Sequence, residues 1–174
     1  QALDSLDPAA VLYLVNTVLF DMKWEKPYEK KDVFSHAFHA AEGAFDTEFL
    51  SSVEASYMEN ERVTGFKRPY QGGRYSFVGL LPREGVSLEE AAQALTGAAW
   101  MGLLDGAEGS VRAGIPSFSY ADDADLRQPL NRLGVRAAFA PAADDFAPMG
   151  GPGLFLSDIR QKTRIELDAH GTKA

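Results

Sequence analysis

The stretch Leu154–Ala174 (LFLSDIRQKTRIELDAHGTKA) constrains the fold most, because it alternates over a length that few sheets can accommodate. Phe155, Ser157, Ile159, Gln161, Thr163, Ile165 and Leu167 fall on one face, and Asp158, Arg160, Lys162, Arg164, Glu166 and Asp168 on the other. That pattern predicts one long strand, buried on one side and wet on the other. Mean strands run about 5–6 residues, so a strand of this length requires a large sheet with a neighbour along its whole extent. The tail Gly171-Thr172-Lys173-Ala174 carries no bulky anchor and reads as a hinge, with Thr172 and Ala174 on one face and Lys173 on the other.

A second strand is predicted at Val11–Phe20 (VLYLVNTVLF), apolar on both alternating faces and therefore central and covered on both sides. Asn16, its one strongly polar interruption, is expected to be a hydrogen-bonded core amide, since an unpaired one would cost about 1–3 kcal/mol. Shorter strands follow at Val33–Phe38, Thr47–Ser51, Arg62–Arg68 and Arg74–Leu81, the last two joined through Gly72-Gly73 and ended by Pro82. Ser87-Leu88-Glu89-Glu90 is a capping box opening a helix to about Leu95, and a second helix is expected over Ala98–Leu104. Val111–Tyr120 is extended but carries Pro116, which places it at an edge or a bend. Asp122, Asp123 and Asp125 offer N-caps to a helix striped by Leu126, Leu130 and Leu133 and closed by Gly134. The segment from Ala140 to Gly153 reads as a loop. The fold class is α+β, with mostly antiparallel sheets and a few short helices.

Composition removes several functions. Seventeen basic residues against 25 acidic ones give a net charge of −8 with no basic cluster, so nucleic acid is not an expected partner. No segment approaches the ~18 apolar residues of a membrane helix, and no membrane partner is expected. The chain has no cysteine, which excludes thiol nucleophiles and zinc–thiolate sites and leaves the compartment open. It begins at Gln1 without a signal pattern, and the expectation is a start inside a longer polypeptide.

Catalytic constellations are missing from the sequence: it holds no phosphate loop, no HExxH and no G-x-S-x-G elbow. His36 and His39 lie three apart in a strand, on opposite faces, and so do not share a metal. His170 stands two residues from Asp168 without a nucleophile to activate. The Asp122–Asp125 cluster lacks the glycine and distal glutamate of an EF-hand loop. Neither an enzyme nor a cofactor is implied. Trp24 and Tyr70, taken singly, read as core aromatics.

Taken together and in order, these segments resemble the serpin family over almost the whole chain, with a bacterial member expected. Asn16-Thr17-Val18-Leu19-Phe20 and Lys23-Trp24 look like that family's long central strand of sheet A and the tryptophan of its "breach". Pro69-Tyr70 and Ser76-Phe77-Val78-Gly79-Leu80-Leu81-Pro82 look like its sheet B, and Leu126, Leu130, Leu133-Gly134 and Phe139 like its late helix. Leu154–Ala174 looks like strand 5 of sheet A running into the reactive-loop hinge. The chain departs from the family at Met22, usually glycine, at Asp21, usually basic, and at Ala169 and His170, where acidic residues usually open the hinge.

The resemblance implies a partial serpin domain over residues 1–174, lacking the N-terminal helical region, the reactive bond and the last two strands of sheet B. Its implied function is inhibition of serine-type and, as a second target class, cysteine-type proteases, by covalent trapping as the cleaved loop of a metastable protein enters sheet A. The implied site residues are the hinge Gly171, Thr172, Lys173 and Ala174 and the breach residues Asn16, Lys23 and Trp24. The implied partners are a target protease and the remainder of the serpin polypeptide, and the implied location is extracellular. Two alternatives stand beside it: a non-inhibitory serpin-like binding or chaperone scaffold, and a free-standing β-rich recognition domain.

Overall fold

The computed structural model describes residues 9–141 and 145–174, which fall into two units. Among these described residues the larger unit comprises Phe20–Ser119 with Glu166–Lys173, and the smaller comprises 9–19, 120–141, 145–165 and Ala174.

In the larger unit the predicted hairpin forms because Gly72 and Gly73 both take positive φ, 83° and 67°, which suits a tight reversal between twisted strands. It joins β5 (Val63–Pro69) to β6 (Ser76–Pro82), and β4 (Tyr57–Glu59) pairs with the other edge of β5. A second antiparallel sheet has the order β2 (Val33–Ala40), β3 (Gly43–Glu54), β7 (Val111–Pro116). Here β7 is an edge strand ending at its proline, as expected, and β3 is far longer than the Thr47–Ser51 core legible in sequence. His36 and His39 sit in β2 three residues apart, and both are exposed.

The capping box closes as predicted. Ser87 Oγ accepts the Glu90 N–H at 3.2 Å while the Glu90 carboxylate accepts the Ser87 N–H at 2.9 Å, and α1 runs Leu88–Ala94. α2 (Gly97–Asp105) starts behind Thr96, whose hydroxyl accepts the Ala99 N–H. Two apolar clusters hold this unit: Trp24, Tyr28, Leu50, Tyr70, Ile115 and Leu167 in one, and Met58, Val63, Ala91 and Leu103 in the other.

A three-strand ladder completes it. β1 (Asp21–Lys23) and β9 (Arg160–Leu167) flank β10 (Gly171–Lys173), which is antiparallel to both. The tail expected to be an unanchored hinge is therefore a paired strand at Gly171–Lys173. The reason is the turn before it: the Asp168 carboxylate accepts the N–H of His170 at 2.7 Å and of Gly171 at 3.1 Å, and the Asp168 N–H donates to the Gly171 carbonyl. Asp at the first and Gly at the fourth position suit such a reversal.

In the smaller unit β8 (Phe118–Asp125) neighbours β9. Asp122 and Asp123 belong to this strand and are not helix caps; Asp123 pairs with Arg160 at 3.3 Å and Lys162 at 3.7 Å. Only Asp125 serves the helix, accepting the Arg127 N–H at 2.9 Å. That helix, α3 (Arg127–Arg132), is shorter than its leucine stripe suggested, and Leu133 is exposed. Gly134 does adopt the left-handed closing conformation, φ 96°. Within the predicted 140–153 loop lies a single turn of helix, α4 (Ala147–Gly150), and residues 142–144 lie outside the described residues.

Two strand predictions fail in the same way. Among the described residues no strand lies across Val11–Phe20, and Val11, Val18 and Leu19 are 72%, 84% and 74% exposed. Asn16 is exposed as well, not a buried amide. A strand apolar on both faces needs ladder partners and covering layers, and none is built from these residues; only Asp21–Lys23, opposite β10, forms a ladder. The long strand likewise begins at Arg160 instead of Leu154. The Leu156 N–H is spent on the Ala138 carbonyl of a 3-10 turn at Ala137–Phe139, and the Ile159 carbonyl accepts from Leu126. Its expected dry face is dry only at its end, at Leu167.

Candidate functional site

The site is built around the reversal from β9 into β10, and each of its anchors traces to a residue type. Trp24, fully buried, lies flat on Tyr70 with ring centroids 4.6 Å apart and planes 10° from parallel. Phe77 and Tyr28 meet the same indole edge-on, at 5.9 and 6.4 Å. This aromatic floor aims donors at the turn. Trp24 Nε1 donates to the Asp168 carbonyl at 2.8 Å, the Trp24 N–H to the His170 carbonyl at 2.9 Å, and the Tyr28 N–H to the Ala169 carbonyl at 3.0 Å. Ser117 Oγ donates to the Leu167 carbonyl at 3.0 Å, just before the turn. Four carbonyls in and beside the reversal are thus met by donors from two separate segments.

Thr172 is buried, 6% exposed, and its Oγ1 accepts a 2.7 Å hydrogen bond from the Tyr70 hydroxyl. Burial holds the Tyr70 phenol above its ordinary value, against a smaller opposing effect of the bond to Thr172, so the ring stays protonated and able to donate. Lys173, one residue on, is exposed and faces Asp21 at 4.0 Å. The in–out alternation expected of the tail therefore takes this form: Thr172 under an aromatic lid, Lys173 in water. Ala174 follows β10 and is exposed.

Gly171 stands against the backbone of β1. A Cβ there would overlap the Met22 carbonyl oxygen and lie 2.9 Å from Lys23 Cα, so only glycine lets β10 approach at this register. Lys23 occupies the opposite position with its side chain exposed, and its carbonyl accepts the Gln71 N–H. Of the residues assigned from sequence, Lys23 pairs with Gly171 in this ladder beside Thr172 and Lys173, and Trp24 donates to its turn, whereas Asn16 and Ala174 belong to the smaller unit.

Sequence reasoning missed Tyr28, Ser117, Glu54 and Arg68. Glu54 and Arg68 form a buried ion pair beneath the aromatic floor, both side chains 7% exposed. A signal for Glu54 was available: it shares the inward parity of Leu50 and Ser52 along β3. Among the described residues no cluster of three or more His, Asp or Glu could hold a metal ion, and no helix is long and apolar enough to cross a membrane.

Replacing Tyr70 by Phe is expected to leave the Thr172 hydroxyl buried without its donor, at a cost of about 1–3 kcal/mol. Tyr70→Phe combined with Thr172→Val should recover most of that loss, because an apolar pair of the same shape leaves nothing unsatisfied. Thermal melts of the two variants in the form with β10 paired check this. Equal destabilisation by both would show that the hydrogen bond is not what holds Thr172.

A family model described as serpin (serine protease inhibitor) matches residues 1–174. A serpin-like protein of Thermococcus kodakarensis is 27% identical over 171 residues, covering 97% of this chain and 40% of that protein. Plasminogen activator inhibitor 1 of Sus scrofa is 27% identical over 183 residues, covering 98% and 45%. The chain thus spans under half the length of these relatives. Among solved structures, the thermophilic serpin tengpin in its latent state matches at TM-score 0.89 and 38% identity, over 98% of this chain and 48% of that one. Tengpin in its native state matches at 0.80 and 36%, over 87% and 40%. Antiparallel sheets with a few short helices, the order of the segments and the full-length family match agree: the chain belongs to the serpin family.

Proposed function

We propose that these residues form the receiving part of a protease inhibitor of full serpin length, in which Gly171–Ala174 begin a reactive loop that enters the sheet between β1 and β9 once a target protease has cut it. The observation that carries this reading is β10 itself: a short strand of small and polar residues, paired on both sides, with its one inward side chain buried beneath Tyr70. Strand addition yields main-chain hydrogen bonds on both edges, so insertion releases free energy that can drive movement of whatever is attached to the loop. An acyl-enzyme attached there is displaced before it hydrolyses, and the protein acts as an inhibitor, not as an enzyme. Serine-type proteases are the primary targets, with cysteine-type ones second and no cofactor required.

Incubating the full-length protein with a panel of serine proteases and separating the products on a denaturing gel tests this. A detergent-stable band at the summed mass is expected with at least one protease. Cleavage of the loop by every protease without any such band would overturn inhibition and favour the non-inhibitory scaffold.

A further inference from the structure

Arg68 is an expensive residue for its position. It is 6% exposed, and its Nε is the one buried side-chain nitrogen or oxygen without a hydrogen-bond partner among the described residues. A buried ion pair is weak evidence for stability, since well-packed apolar residues of similar volume often do as well. What distinguishes this guanidinium is what it touches. One terminal nitrogen donates to Glu54 Oε1 and the other to the Lys26 carbonyl, while the plane lies 3.9 Å over the Tyr28 ring and 5.3 Å from that of Trp24. Trp24 and Tyr28 are the buried ends of a short segment whose middle, Glu25–Pro27, is exposed, and their N–H groups are the ones that grip the turn between β9 and β10. All three contacts of Arg68 beyond Glu54 thus fall on this one segment. Glu54 is itself fixed by Ser52 Oγ at 2.6 Å.

We propose that Arg68 is a positioning residue that sets the Trp24–Tyr28 segment as a clasp for the turn opening the inserted loop, with Glu54 as its anchor. This rests on the insertion reading above. The clasp holds the carbonyls of Asp168, Ala169 and His170, so it acts on the loop only when β10 is in place.

The test is amide hydrogen exchange in the loop-cleaved full-length protein, following the N–H groups of Trp24 and Tyr28 against that of Arg83, bonded to the Arg62 carbonyl at 2.8 Å beside the far end of the β5–β6 ladder. Two variants are used. Glu54→Gln/Arg68→Met removes both charges together and leaves neither unpaired, and Arg68→Lys keeps the charge facing Glu54 but loses the planar fork that reaches Lys26 and stacks on Tyr28. In each, Trp24 and Tyr28 should exchange at least about tenfold faster than in the wild type while Arg83 stays within about twofold. Equal acceleration at all three amides would identify a plain core ion pair and overturn the proposal, as would no acceleration at Trp24 and Tyr28, or failure of both variants to fold. The insertion reading fails separately: the wild type would then show the same protection at Trp24 and Tyr28 before and after loop cleavage, and the proposal would fall with it.

Discussion

In the full-length protein, Thr172→Arg is expected to convert an inhibitor into a substrate. Thr172 occupies a site closed by Tyr70 and opposite Met22 and Leu167, and its own hydroxyl is already matched to one donor. An arginine at this point would bury a charge with no acidic partner facing it from Met22, Leu167 or Tyr70, at a cost of at least several kcal/mol after relaxation. Insertion slows, the acyl-enzyme hydrolyses first, and the protease leaves active with the loop cut. The comparison is Lys173→Glu on the wet face. It sets a third carboxylate near Asp21 and cross-strand Glu166, but in solvent, where like charges change stability by under about 1 kcal/mol. The detergent-stable complex should be lost in the first variant and retained in the second. Retention in Thr172→Arg, or loss only in Lys173→Glu, would mean the insertion register is shifted by one residue.

Gly171→Val attacks the same step through the backbone. Its Cβ would meet the Met22 carbonyl and Lys23 Cα, atoms of β1 that cannot rotate away, so either β1 or β10 must leave the ladder. Overpacking of flexible core side chains costs about 1–3 kcal/mol, and a clash against the main chain of a neighbouring strand, which cannot rotate away, is worse. Insertion predicts that loop cleavage raises the melting temperature of the wild type, and that rise should fall to less than about half in this variant. His170→Val, at a neighbouring residue whose side chain is 84% exposed, should leave the rise unchanged. A full rise in Gly171→Val would show that β10 does not lie against β1 in the cleaved protein.

The parts of this structure legible in sequence are those whose cause is local. Gly72-Gly73 dictates its own turn, Ser87 and Glu90 satisfy each other, and the in–out parity of Thr172 and Lys173 follows from strand geometry alone. Trp24 and Tyr70 were recognisable as core aromatics, though not as a stacked pair, because their contact joins residues far apart in the chain. The failures come from partners that a local pattern cannot name. Val11–Phe20 carries every mark of a central strand, yet a strand exists only where a ladder exists. Leu154–Ile159 continues the run read as one long strand but gives up its hydrogen bonds to Ala138 and Leu126. The parity of Glu54 with Leu50 and Ser52 points it inward, but nothing near it or Arg68 in sequence reveals that the two face each other. The turn at Asp168–Gly171 was a local signal passed over, and it reverses the chain into β10.

These 174 residues hold no cysteine, so once any cysteine elsewhere in the full-length protein is replaced by serine a single thiol can report on the inserted position directly. With Thr172→Cys as the sole cysteine of the full-length protein, the rate of modification by a small thiol reagent is measured before and after cleavage of the reactive loop. Insertion beneath Tyr70 predicts rapid modification of the uncleaved protein and a rate at least about a hundredfold lower after cleavage, because labelling then requires the strand to open. Equal rates in the two forms would contradict entry of this segment into the sheet between β1 and β9.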